Sequence, residues 1–445
     1  MTARGAIIAA AASGSGKTTV TLALLALLAR RGYRVASCKV GPDYIDPAFH
    51  ARMTGRPCYN LDGWAMRPGT VATLTARAAQ AADLLVVEGV MGLFDGAPTT
   101  GEDLAALSPG STAEIAARLG LPVVLVLRAK GIGATAAALL DGLKRHHPAV
   151  DVAGVIFNEV GGARHRDMLA RAALRAGIDV LGNLPGFDDL ALPSRHLGLV
   201  QAEEQGDLAA YAARLVDRLA PHLDLDRLTE LMRAPAPSVD ADPGAPIPPL
   251  GQRIAVARDI AFGFAYAATL EGWRAAGAEL SFFSPLADEA PAMNADAVFL
   301  PGGYPELHVG RLAANAGFLG GLRLAAERGA AVYGECGGYM ALGEGLIDAA
   351  GTRHAMAGLL PVVTSFAARR LHLGYRQARL LGDSPLGAAG ATFRGHEFHY
   401  ARVVAEGDSP ALFATQDALC RDLGGVGRRQ GSVFGSFLHL IDRAA

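Results

Sequence analysis

Cysteine is scarce in this chain, with four in 445 residues. Cys38, Cys58, Cys336 and Cys420 are scattered, without the paired spacings of a disulfide frame or a cysteine-rich metal site. A reducing cytoplasm is therefore the expected compartment. Net charge is nearly absent as well, −2 from 41 basic and 43 acidic residues. That leaves no electrostatic footprint for nucleic acid or an anionic membrane. No apolar run reaches the roughly 18 residues needed to cross a bilayer. The opening MTARGAIIAAAA superficially matches a short signal peptide, but it feeds directly into a phosphate loop and is read as a strand. No internal repeat of solenoid type is present.

What is there is a large apolar fraction, 51% against 19% charged residues, with much of it Ala and Gly. A chain of this length exceeds one compact core, so two or three domains are expected. Strand-length apolar runs fall at 6–12, 34–39, 84–87, 123–127, 152–158 and near 180–184. Ala-rich helical stretches lie between them, such as 18–29, 71–82 and 112–119. This alternation predicts a parallel sheet covered on both faces. The Pro-rich segment 232–251 has no apolar periodicity and reads as a solvent-exposed linker. After it the α/β pattern restarts, with strands at 254–257, 279–283 and 297–300 and a helix at 264–277. The expected division is a domain over 1–231, a linker over 232–251 and a second domain over 252–445.

The loop at 11–19 carries Gly16–Lys17–Thr18 intact, with Ala11 where the phosphate-loop pattern has its first glycine. A strand before it and a helix after it are the right context. The backbone of Gly14, Ser15, Gly16 and Lys17 is expected to cradle phosphates, with Thr19 adjoining. Lys17 reaches the β and γ oxygens, and the Thr18 hydroxyl binds Mg²⁺. A partition-type ATPase uses a similar loop but carries a signature lysine where this chain has Ala12. Acidic residues cluster at strand ends, where ligands sit in open α/β sheets. Glu88 is placed to bind Mg²⁺, and Asp95 lies on the adjoining loop. Lys39 is placed to neutralise a developing phosphate, and Asp43 to bind metal or orient substrate. Asn158 closes another strand, either to read an adenine edge or simply to form a turn.

A second kind of chemistry appears at 331–342. An apolar strand runs into Gly334–Glu335–Cys336–Gly337–Gly338 and then a helical stretch, the setting of a nucleophile elbow. The helix N-terminus is expected to stabilise a Cys336 thiolate. The glycine-rich turn containing Gly303 and the N–H of Gly337 are candidate oxyanion donors, and His439 near the C-terminus is the candidate base.

These elements resemble a class I glutamine amidotransferase domain. Most members carry Glu two residues after the His; here that position is Ile441, followed by Asp442. Taken together, SGSGKTT (13–19), KVGPDYIDP (39–47), VEGVMGLFDG (87–96), LPGGYPE (300–306), GECGGYM (334–340), GHEFHY (395–400) and FGSFLH (434–439) resemble the cobyrinic acid/hydrogenobyrinic acid a,c-diamide synthase family in order along nearly the whole chain. The resemblance implies an α/β fold: an N-terminal P-loop, dethiobiotin-synthetase-like parallel-sheet domain, then a flavodoxin-like class I amidotransferase domain. It implies ATP and Mg²⁺ as cofactors. Expected partners are small molecules, a corrin polycarboxylate and glutamine, with no nucleic acid and no membrane; a homodimer is the assembly considered. Cys336 would release ammonia from glutamine with His439 shuttling the proton. Acyl phosphates at side chains a and c would then capture that ammonia. Hydrogenobyrinate, cobyrinate and a nickel tetrapyrrole acid stay open as substrates, and a nucleotide-switched regulatory ATPase is the alternative of another class. His396, Glu397 and His399 suggest weakly a metal, otherwise a contact to substrate carboxylates or a structural hairpin.

Overall fold

A computed structural model describes residues 3–99, 106–190, 194–195, 198–204, 206–236 and 244–444. The chain divides into two compact units: residues 1–64 with 68–242, and residues 65–67 with 243–445.

The first unit is built on seven parallel strands in the order β3-β2-β4-β1-β5-β6-β7. They are β1 (Arg4–Ala10), β2 (Val35–Val40), β3 (Tyr59–Leu61), β4 (Leu84–Glu88), β5 (Val123–Arg128), β6 (Val152–Asn158) and β7 (Asp179–Asn183). The central strands read as unbroken apolar runs because helices cover both faces, and residues 6–10 of β1 are each at most 1% exposed. Burying each Ile or Val side chain there contributes about 1.5–3 kcal/mol. Helix α1 (Lys17–Arg30) follows β1 through the phosphate loop, and α2 (Ile45–Thr54) follows β2. Crossovers between parallel strands bring the loops after β1, β2 and β4 to one end of the sheet.

Residues 237–243 of the expected linker lie outside the described residues. Its described ends are partly packed, with Arg233, Ala234, Ala236 and Gly244 exposed. Met232 is buried and Arg233 bridges to Gly5, while Ile247 and Leu250 are buried against Trp273, whose indole N–H reaches the carbonyls of Ile247 and Pro248.

The second unit holds a six-stranded sheet in the order β9-β8-β10-β11-β17-β16. These are β8 (Arg253–Ala257), β9 (Glu279–Phe283), β10 (Ala297–Leu300), β11 (Ala331–Glu335), β16 (Arg428–Gln430) and β17 (Val433–Ser436). All are parallel except β16. Between β11 and β16 come β12 (His372–Leu380), β13 (Thr392–His399), β14 (Phe413–Asp417) and β15 (Asp422–Val426), and the chain ends in β18 (Leu438–Arg443). These form a five-stranded antiparallel sheet, β15-β14-β12-β13-β18, that the apolar pattern did not announce. Its buried residues Ala378, Leu380, Phe393 and Phe413 pack with Phe299, Tyr333 and Phe434 from one face of the parallel sheet. The last three rings stack at centroid distances of 5.7 and 5.0 Å. This packing carries β18, and His439 with it, alongside the end of β11.

Candidate active sites

In the first unit the phosphate loop is shaped by left-handed backbone at Gly14 (φ 76°) and Gly16 (φ 87°). Gly16 admits no side chain: a Cβ there would lie 2.2 Å from Asn158 Nδ2. That amide donates to the Ser15 carbonyl at 3.0 Å, and its oxygen accepts the Glu159 N–H. Asn158 therefore braces the phosphate loop from the end of β6. Thr19 also turns aside, toward the Tyr211 hydroxyl.

Lys17 Nζ donates to the Met91 carbonyl at 2.9 Å. Burial and the neighbouring Lys39 lower its pKa to about 8. Thr18 Oγ1 donates to Glu88 Oε1 at 2.7 Å and lies 3.4 Å from Asp46 Oδ2. Lys39 Nζ binds Asp46 Oδ2 at 2.6 Å and Glu88 Oε1 at 3.0 Å. Burial alone would discharge Lys39, but Asp46, Glu88 and Asp43 outweigh it and raise its pKa. Burial also opposes ionisation of Glu88, yet Lys39 and His50 hold its carboxyl well below the usual range. Asp46 moves the other way, pushed well above that range by burial and the Asp43 charge.

Asp43 shapes the loop that leads into α2. Its two carboxylate oxygens accept the N–H groups of Ile45 and Asp46, at 3.0 and 3.2 Å, which starts α2. Asp46, three residues on, is the acid that lies beside Thr18, and the sequence reading did not single it out. Two further residues were missed. His50 Nε2 holds Glu88 Oε2 at 2.7 Å, and Cys58 Sγ sits 3.5 Å from His50 Nδ1. His50 and Glu88 are both fully buried. Burial works against the imidazolium, but Cys58 and Glu88 more than offset it and lift the His50 pKa to about 9. The spacing of His50 from Asp46, i and i+4 on one helix face, was the available signal. Asp95 is exposed, and its carboxylate accepts the Gly92 N–H at 2.8 Å, shaping the loop after β4.

In the second unit, Cys336 follows β11 with φ 48° and ψ −102°, a left-handed conformation that a non-glycine residue adopts at a cost of about 1–3 kcal/mol. Its N–H donates to the Ser436 carbonyl at 2.8 Å, tying the elbow to β17 three residues before His439. The turn at 302–303 closes over both. A Cβ on Gly302 would lie 2.4 Å from His439 Cε1, and one on Gly337 would lie 3.1 Å from the Gly303 nitrogen. The structure thus brings together Cys336, His439, Gly303 and Gly337.

The electrostatics depart from expectation. Burial raises the Cys336 pKa, the Glu306 charge adds to this, and the Gly337 N–H opposes it without prevailing. The helix that follows, Gly337–Leu342, has only six residues. Burial thus works against the thiolate that a helix terminus would favour. His439 is pulled well below the ordinary histidine value, first by burial and then by His396 and His399, so its imidazole is neutral. Asp442 is committed elsewhere, accepting from the Arg67 N–H at 2.9 Å and from Arg67 Nη2 at 3.0 Å. Glu335, overlooked in the sequence, accepts the Tyr333 hydroxyl at 2.9 Å and the Leu440 N–H at 3.2 Å, and burial lifts its pKa to about 8.

His372, Glu397 and His399 each bring a ligand atom within 4.8 Å of the others. They do not make a metal centre. The two imidazoles stack in nearly parallel planes, 4.7 Å apart and 6° inclined, so their in-plane lone pairs cannot converge on one ion. Glu397 is already bonded to Arg376 at 2.8 Å and His399 at 2.9 Å.

A phosphate-loop sheet carrying a Thr/Asp/Glu/Lys cluster, followed by a Cys/His elbow domain, defines a nucleotide-binding protein joined to a glutamine amidotransferase. Two family models match accordingly: the CobQ/CobB/MinD/ParA nucleotide binding domain over residues 6–200 and the CobB/CobQ-like glutamine amidotransferase domain over 253–444. Among curated relatives, a hydrogenobyrinate a,c-diamide synthase of Brucella anthropi is 52% identical over 441 residues, covering 99% of this chain and 98% of that protein. One of Rhodobacter capsulatus is 53% identical over 439 residues, 98% of each chain. The chain belongs to the same family as these a,c-diamide synthases. No helix among the described residues is long and apolar enough to cross a membrane.

Proposed function

We propose that this chain catalyses ATP- and glutamine-dependent amidation of the a and c carboxylates of hydrogenobyrinate. The observation that carries the reading is full-length identity above 50% to synthases of that name, with both chemical halves intact. In the glutamine half, neutral His439 takes the Cys336 proton as sulfur attacks the carboxamide carbon. The N–H groups of Gly303 and Gly337 receive the oxyanion. Collapse expels ammonia, protonated by His439, and leaves a γ-glutamyl thioester that water hydrolyses.

In the synthetase half, the substrate carboxylate attacks the γ-phosphorus of ATP and ADP leaves. Ammonia adds to the acyl phosphate carbon, and inorganic phosphate departs as the amide forms. Lys17 and the phosphate-loop N–H groups bind the phosphates. The hard oxygens of Thr18, Asp46 and Glu88, gathered within hydrogen-bond reach, fit Mg²⁺. When bound, that ion would neutralise charge on the phosphate oxygens. Lys39 pairs with both carboxylates, and His50 holds Glu88 from behind.

Amide formation and ADP release measured with hydrogenobyrinate, with cobyrinate and with no tetrapyrrole test the reading. Amidation of hydrogenobyrinate with coupled ADP release is expected. ATP turnover that ignores the tetrapyrrole would point to a nucleotide switch instead.

Two results follow from the geometry. Asp46→Asn should lower ammonia-dependent amidation by about 10²-fold or more, since it replaces the carboxyl oxygen that lies beside Thr18 and binds Lys39. Asp43→Asn should cost less, because its principal bonds are to backbone at the start of α2. Rates for the two variants across a Mg²⁺ titration check this, and the reverse order would return Asp43 to the metal site. Second, the acid limb of glutamate release should lie below pH 6.5. His439 stays neutral below that value, and the raised Cys336 pKa keeps the thiol–imidazole pair intact toward alkaline pH. A kcat/KM profile for glutamine measures the limb, and a limb at or above 6.5 contradicts the neutral-pair account.

A further inference from the structure

His396 lies in β13 directly opposite His439 in β18. The two rings stack, with centroids 4.9 Å apart and planes inclined by 12°. Both side chains are buried, at 5% and 1% exposure. The far end of His396 is fixed, because its Nε2 lies 2.9 Å from the Tyr266 hydroxyl. At the edge of the His439 ring, Cε1 lies so close to Gly302 that no Cβ would fit between them. The His439 ring is therefore stacked on one face by an imidazole and met edge-on at Cε1 by the backbone of the turn that carries Gly303. We propose that His396, anchored by Tyr266, is a positioning residue for glutamine hydrolysis: its ring sets the plane of the His439 imidazole so that one nitrogen addresses the Cys336 thiol. The proposal rests on the glutamine-hydrolysing role of Cys336 and His439 given above.

Orientation of this kind matters because proton transfer to a base depends on its angle as much as its distance. The sequence offers Ile441 where most class I amidotransferases carry the residue that orients the base. A stacked ring restrains the plane without adding negative charge, and that agrees with a base kept neutral. The groups that set the electrostatics around the pair come from four sources. Cys336 and Glu335 stand at the end of β11. Glu306 follows the 302–303 turn. Tyr266 precedes the helix Ala267–Ala275. His399, Glu397 and the Arg376 paired with it lie on β13 and β12. Removing His396 takes away a neighbour that disfavours the His439 cation and admits water to its face. Both effects raise the His439 pKa.

The test measures glutamate release from glutamine over a range of pH, alongside amidation from added ammonium salt, in the full-length enzyme. His396→Ala is expected to lower the glutamine kcat at least tenfold and to move the acid limb upward toward pH 6.5, while ammonia-dependent amidation persists. His396→Phe restores a flat stacked ring and is expected to recover most of the lost kcat. Tyr266→Phe frees the anchor and should give a smaller loss in the same direction. A His396→Ala enzyme with wild-type glutamine kcat and an unmoved limb overturns the proposal, and so does a His396→Phe enzyme no better than His396→Ala. If His396→Ala also fails with ammonia, its fold is disturbed, and the His396→Phe and Tyr266→Phe enzymes decide by the same criteria. Cys336→Ala serves as the separate control: glutamate release surviving in it would sink the underlying glutaminase reading, whatever His396 does.

Discussion

Lys17→Ala should reduce amidation by about 10²–10³-fold whether nitrogen comes from glutamine or from added ammonium salt. The ammonium group lies beside the loop that would hold the β and γ phosphates, bonded to the Met91 carbonyl and within the field of Lys39, Glu88, Asp46 and Asp95. Its lowered pKa of about 8 reflects burial and the neighbouring Lys39 charge. An arriving polyphosphate supplies negative charge that restores full protonation, so the strongest contact forms only with ATP in place. Removing the side chain leaves the fold of α1 intact, because Ala is a good helix former. Glutamate release without the tetrapyrrole should therefore survive. Parallel assays of amide and glutamate read this out, and wild-type amidation in Lys17→Ala would remove the nucleotide site from the loop at 11–19.

The parts of this protein that were legible in the sequence are those where chemistry demands fixed spacing. Gly16, Lys17 and Thr18 must lie consecutively between a strand and a helix. Glu88 ends an apolar run whose length places it at the carboxyl end of an interior strand, and the Gly/Cys/Gly elbow has little freedom. The parallel strands were legible because burial on both faces leaves apolar runs. The antiparallel sheet was not. β12, HLGYRQARL, buries only Ala378 and Leu380 and carries two arginines and a histidine, so its pattern resembles a polar loop. The choice between Asp43 and Asp46 was equally hidden. It depends on where α2 begins: Asp43 precedes the helix and accepts the N–H groups of Ile45 and Asp46, while Asp46 falls inside the first turn. His50 looked like an ordinary helix residue, since its partners Glu88 and Cys58 come from other elements. Cys336 illustrates a weighing error. A helix N-terminus favours a thiolate by a few tenths to about 1 kcal/mol, but this helix is six residues long and Cys336 is 4% exposed, so desolvation wins.

That weighing sharpens what should happen when the nucleophile or its base is lost. Cys336→Ala should abolish glutamine-dependent amidation, a fall of about 10⁴-fold or more. Amidation from ammonium salt should persist, best at alkaline pH where free ammonia is abundant. The first unit's cluster of Lys17, Thr18, Lys39, Asp46 and Glu88 uses no group from the elbow. Replacing the cysteine also relieves no packing constraint, because Ala is smaller and the strained backbone at φ 48° is held by the Ser436 carbonyl and the glycines around it. His439→Ala should fall nearly as far. A thiolate stabilised by the helix terminus would have left substantial activity without a base. A buried thiol whose pKa is raised leaves almost none at neutral pH, since the population able to attack is small and no other group in reach is assigned to take its proton. Residual activity in His439→Ala should then rise steeply with pH, as hydroxide generates the thiolate directly. Glutamate release measured from pH 6 to 10 in the wild type and both variants separates these cases. A His439→Ala enzyme with a flat profile near the wild-type rate would mean that the sulfur is ionised without a base, and a Cys336→Ala enzyme that still used glutamine would place the nucleophile elsewhere in the chain.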